Sequence, residues 1–136
     1  MDGELLRGVE IELVQSVHGG DFGDGREPIA ILRVALLNGA DYEYRAHVPF
    51  ALQAGLTQAQ IDALPGWQIS GKFDDRERAV LAYTDCVTRE IRAPDAVFAE
   101  LRRHFDDREL VELTATVAGY NLVSRFLEAM QIDHEK

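Results

Sequence analysis

The chain has 136 residues and a formal net charge of -10, from 14 Lys+Arg against 24 Asp+Glu. A surface this acidic repels phosphate backbones and anionic headgroups, so no nucleic-acid and no membrane partner is expected. With 46% apolar and 28% charged residues, the composition fits a folded domain with one core rather than a disordered segment.

Cys86 is the only cysteine. An intramolecular disulfide, a cysteine-based zinc site and a dithiol redox pair are thereby excluded. The opening residues, MDGELLRGVE, are acidic and lack the basic-then-apolar pattern of a secretory leader. No apolar run approaches the roughly 18 residues that span a bilayer. The expected location is the cytoplasm.

Along the chain, Leu5, Leu6, Val9, Leu13, Val14 and Val17 recur at helical spacing and predict an amphipathic helix over 4–17. HGGDFGDG, residues 18–25, is too glycine-rich for anything but a loop. These 25 residues are read as a leading segment, and 26–136 as the main domain. Pro28 suits the first turn of a helix, and the apolar run Ile29–Leu37, broken only by Arg33, predicts a buried one. Asn38 and Gly39 close it. Asp41 is placed to cap the next helix, which runs to about Ala54 and stops at Gly55. Thr57 and Gln60 form a capping-box pattern ahead of a short helix over 58–64.

Residues 65–72 read as a loop carrying the only tryptophan, Trp67. Trp67 and Phe73 are expected either to wall a pocket or to anchor that loop. Asp74 with Glu77, Pro94, and Asp106 with Glu109 then open three more helices. The repeated DDRE, at 74–77 and 106–109, is read as two helix starts with acids against the dipole. The fold class is all-α, a single-domain helical bundle of six or seven helices.

One constellation carries chemistry. In NGADYEYRAHVPFALQAGLT, residues 38–57, Glu43 and His47 stand one helical turn apart on one face. A carboxylate beside an imidazole orients the ring and fixes its tautomer, the arrangement that general acid/base catalysis needs. Tyr42 and Tyr44 flank the pair. The same spacing is also common on helix surfaces that do nothing. A metal centre is not expected, because His18, His104 and His134 show no ligand spacing.

The stretches ILRVALLNGADYEYRAHVPFALQAGLTQAQIDAL, FDDRERAVLAYTDCVTRE and FDDRELVELTATVAGYNLVSRFLEAMQID together resemble the carboxymuconolactone decarboxylase and alkylhydroperoxidase D superfamily. The peroxidase branch carries Cys-x-x-Cys-x-x-x-His with a glutamate upstream. Here the two cysteine positions hold Ala40 and Glu43, the upstream position falls at Pro28 beside Glu27, and only His47 matches. A peroxidase needs an attacking and a resolving thiol, so that activity is not expected. Cys86, in mid-helix, is expected to be a buried, inert thiol.

The decarboxylase branch has Glu-x-x-x-His at this place, as this chain does. The resemblance implies a helical subunit that forms a homo-oligomer, a trimer or hexamer. It implies a lyase or isomerase of decarboxylase type acting on a small lactone or unsaturated carboxylic acid by acid/base chemistry, with no cofactor. His47 and Glu43 would be catalytic. A non-catalytic ligand-binding or scaffold member of the family is the alternative.

In the last helix, Tyr120, Asn121 and Arg125 join Tyr42 as candidates for substrate binding. Asn121 and Arg125 share a helix face within an apolar stretch. A buried arginine there would need an anionic partner, whether a substrate carboxylate, Glu43 or a structural acid. Arg33 is a further candidate, and Arg45 is expected on the opposite face, in solvent.

Overall fold

The structure is a computed structural model and describes residues 26–131. The helix expected over 4–17, the loop at 18–25, the boundary between them and the main domain, His18 and His134 lie outside the described residues. Among the described residues there are six α-helices, one 3-10 helix and no strand. They are α1 (Arg26–Asn38), α2 (Asp41–Gln53), α3 (Gln58–Ala63), the 3-10 helix (Leu64–Ile69), α4 (Asp75–Glu90), α5 (Asp95–His104) and α6 (Asp107–Ala129).

Helix α1 lies at the centre, against α2, α4 and α6. Its apolar run has no polar stripe because both of its sides are covered. Ala30, Ile31 and Val34 join a core with Val80, Tyr83, Leu101, Leu113, Val117 and Tyr120. Ile29 and Leu32 join a second core with Ala51, Ile61, Leu64, Trp67, Phe73 and Leu81. A helix buried all round reads as a continuous hydrophobic segment.

The turn from α1 to α2 uses two residues. Gly39 takes φ +64°, its N–H bonds to Leu36 O, and the Ala40 N–H bonds back to Ala35 O at 2.9 Å. This is a Schellman closure, and glycine meets its left-handed requirement without steric cost. The same device ends α2 at Gly55 (φ +112°), with Leu56 N–H bonded to Ala51 O at 3.0 Å. Because the Schellman turn draws Ala40 into the cap position, Asp41 is the first residue of α2 and not its cap. Its carboxylate still sits favourably at the positive end of the helix.

Capping boxes form at Thr57–Gln60, Asp74–Glu77 and Asp106–Glu109, each closed in both directions. The two DDRE segments are helix starts. Asp106→Ala is expected to cost about 1 kcal/mol, read as a lower urea midpoint with an unchanged slope.

The expected loop at 65–72 is instead largely a 3-10 helix, kinked at Gly66. Pro65 presets its first turn. Its carbonyl end is held by Arg78, whose guanidinium donates to Trp67 O, Gln68 O and Ser70 O and lies 5.3 Å above the indole. Trp67 and Phe73 are buried in the second core, so the tryptophan anchors this segment.

Candidate active site

Helix α2 presents Glu43 inward and Arg45 outward, as the 3.6-residue period requires. Glu43 is fully buried, at 0% exposure. Its Oε1 lies 3.1 Å from His47 Nε2, and the imidazole keeps 17% of its side-chain surface in contact with solvent. For the carboxylate to accept, Nε2 carries the hydrogen, which leaves Nδ1 as the basic nitrogen of a neutral ring. Glu43 Oε2 is buried and, among the described residues, has no hydrogen-bond partner. A buried polar atom left unpaired costs about 1–3 kcal/mol.

Tyr120, from α6, meets the imidazole edge-on, with ring centroids 5.1 Å apart and planes at 89°. Phe50, one turn further along α2, lies 6.0 Å from the same ring and is 64% exposed. His47 thus sits at the mouth of the arrangement, with Glu43 and Tyr120 beneath it. Tyr42 is half-buried and packs against the Val123–Leu127 cluster at the end of α6. Tyr44 packs into the second core, where burial, then the charge of Asp62, pushes its phenol above the usual range.

The remaining candidates are placed elsewhere. Asn121 is buried, and its amide donates to Thr88 Oγ1 and Val117 O while its carbonyl accepts from Asn38. It ties α1, α4 and α6 together and is spent in doing so. Arg125 is exposed, contrary to the expectation of burial, and donates to Thr88 O near the carbonyl end of α4 at 3.2 Å. A cation there complements the helix dipole. Its stripe of α6, with Val111, Ala115, Ala118 and Leu122, is apolar yet exposed, so an apolar setting did not mean burial.

Arg33 is buried and holds Asp85 by two parallel bonds, Nε to Oδ1 at 2.7 Å and Nη2 to Oδ2 at 3.0 Å. It also donates to Leu64 O, and Trp67 Nε1 donates to Asp85 Oδ2 at 3.1 Å. This network fixes the 3-10 helix to α1 and α4. Asp85 was not singled out in the sequence, since an acid in the middle of a charged helix gives no sign of facing inward.

Cys86 is half-buried on α4. Burial first, then the charges of Glu90 and Asp85, push its thiol above the usual range. The thiolate is the reactive form, so this environment disfavours nucleophilic or peroxidatic use. Among the described residues no cluster of His, Cys, Asp and Glu is arranged to hold a metal ion. No described helix is long and apolar enough to cross a membrane. Two clefts, of about 400 and 720 Å³, lie between Trp67, α4 and α5 and between α5 and α6 beside Tyr83 of α4, respectively. Neither is lined by Glu43 or His47.

An all-helical chain built around Glu-x-x-x-His on its second described helix matches the model of the carboxymuconolactone decarboxylase family over residues 26–85. That match and the fold shared with an AhpD-like neighbour support a place in the carboxymuconolactone decarboxylase and AhpD-like superfamily.

It is similar to the uncharacterized protein YdfG of Bacillus subtilis, 29% identical over 77% of this chain and 72% of that protein. A crystal structure of an Agrobacterium tumefaciens protein of unknown function, assigned there to antioxidant defence of the AhpD type, superposes with a TM-score of 0.85. It is 27% identical, over 95% of this chain and 90% of that one. The debrominase Bmp8, seen with 2,3,4-tribromopyrrole, superposes at 0.77 with 19% identity, over 93% of this chain and 69% of that one. At that identity the likeness is one of fold.

Proposed function

We propose that this protein is an enzyme that moves protons on a small lactone or unsaturated acid without a cofactor. His47 is the acid/base and Glu43 the group that orients it. The observation that supports this reading is a fully buried carboxylate with one oxygen paired to a solvent-accessible imidazole and the other unpaired. Such an arrangement is costly for a purely structural residue and useful for a reacting one. In the reaction, Nδ1 takes a proton from the carbon next to a carbonyl. The carbonyl holds the electron pair as an enolate, and the imidazolium returns the proton at a conjugated position. Glu43 stabilises the imidazolium between the two transfers.

Isomerisation and loss of carbon dioxide both pass through that enolate, and Arg33 and Arg125 are engaged with Asp85 and with Thr88 O. Placement of the two described clefts away from His47 favours a second reading, a non-catalytic member that binds its ligand elsewhere. Screening lactones and unsaturated acids with wild type and with folded His47→Gln and Glu43→Gln variants separates the two. Turnover that disappears in both variants supports the enzyme, and turnover retained in folded His47→Gln rejects this role for the histidine.

A further inference from the structure

The cleft of about 720 Å³ beside α5 and α6 has the size of a small-molecule site. Its walls are mainly apolar. Tyr83 and Leu110 are buried there, whereas Phe98 and Val111 stay 36% and 68% exposed. The Tyr83 and Phe98 rings lie 6.2 Å apart, tilted at 52°.

The polar groups of the cleft differ in what they have left to give. Thr114 spends its one hydroxyl hydrogen on Leu110 O, at 2.7 Å. In its 2.9 Å contact with Tyr83 the phenol is therefore the donor, and that hydrogen is spent too. Arg102 is not spent. Its Nη2 donates to Asp107 Oδ1 at 2.8 Å, and among the described residues the other guanidinium N–H groups have no acceptor. Arg102 is half-exposed and the Asp107 side chain is 86% exposed, so this ion pair adds little stability and is easily exchanged. The guanidinium carbon lies 5.6 Å over the Phe98 ring. An exchangeable cation with open donors thus stands at the side of an aromatic, apolar cleft.

We infer that this cleft is a ligand site for a small aromatic carboxylate. The carboxylate takes the fork of Arg102 in place of Asp107, and the ring covers Phe98 and Val111. A planar guanidinium matches a carboxylate with two parallel bonds, and covering the two exposed side chains supplies the apolar part of the binding. Glu43 and His47 do not line this cleft. The site is separate from them and does not rest on the acid/base reading.

Amide NMR titration of the full chain with benzoate, and with benzamide as its neutral counterpart, tests the site. Benzoate is expected to shift the amides of Phe98, Arg102, Asp107 and Val111 and to bind more tightly than benzamide. Arg102→Gln should weaken benzoate about tenfold, the loss of a charge-assisted contact, and leave benzamide unchanged. Asp107→Asn should tighten benzoate, because it removes both a competitor for the guanidinium and a like charge. Both positions are on the surface, so both variants should keep the wild-type spectrum elsewhere. Equal binding of the two probes, no shifts at the cleft, a preference that survives Arg102→Gln, or weaker benzoate binding in Asp107→Asn overturns the site. Folded His47→Gln should bind benzoate as the wild type does, and loss of binding there would move the probe to His47 and overturn the cleft. Sedimentation of Val111→Asp covers the remaining case. A wild-type assembly that this change splits would put a second copy over the cleft, and the ligand site would fail.

Discussion

Asp85→Ala is expected to lower stability by about 3–5 kcal/mol, a fall in Tm on the order of 10–20 °C. The aspartate takes both guanidinium bonds of buried Arg33 and the indole N–H of Trp67. Its removal strands a positive charge and an N–H donor in the protein interior. The 3-10 helix, which relies on Trp67 for its seat, should loosen first, and hydrogen exchange of residues 64–70 should rise before the rest. The double variant Arg33→Met, Asp85→Leu supplies the contrast. A buried ion pair recovers little more than its desolvation cost, so replacing both partners with apolar groups should restore most of the loss. A double variant as unstable as the single one would show that the network does more than neutralise itself. Differential scanning calorimetry at one protein concentration decides between them.

The second large effect combines stability and activity. Glu43→Leu removes a buried carboxyl group with an unpaired oxygen and fills its space with a side chain of similar volume. Stability should stay level or rise by about 1–3 kcal/mol. Turnover should fall by about 10²–10⁴, the usual contribution of a positioned acid/base system. The imidazole is partly exposed and regains water in place of the carboxylate, so little opposes the gain. A protein that melts much lower after this change would make the glutamate a structural residue and favour the non-catalytic reading. A rise in Tm together with lost turnover is the trade-off that marks a residue kept for chemistry.

Much of the bundle was legible because its punctuation is local. Gly39 and Gly55 mark closures that only a glycine makes cheaply, and Thr57, Asp74 and Asp106 each meet their partner within one turn. Glu43 and His47 were legible for the same reason: their relation depends on helix periodicity alone. Asp85 was not, since its meaning depends on which face of its helix meets Arg33 and Trp67, far along the chain. Arg125 misled because the exposed stripe of α6 is itself apolar, with Val111 and Leu122 in solvent. Hydrophobicity then no longer separated inside from outside. The 3-10 helix was hidden by Pro65 and Gly66, which read as turn residues, and its order comes from Arg78 and Asp85 on another helix.

The proposed acid/base pair belongs entirely to α2, while Tyr120, whose ring meets the imidazole, comes from α6, near the other end of the described chain. On the proposed reading, substitutions in α6 reshape what is admitted without disturbing how protons are moved. Under that reading, the pair on α2 sets which step is performed and the face of α6 sets which compound undergoes it.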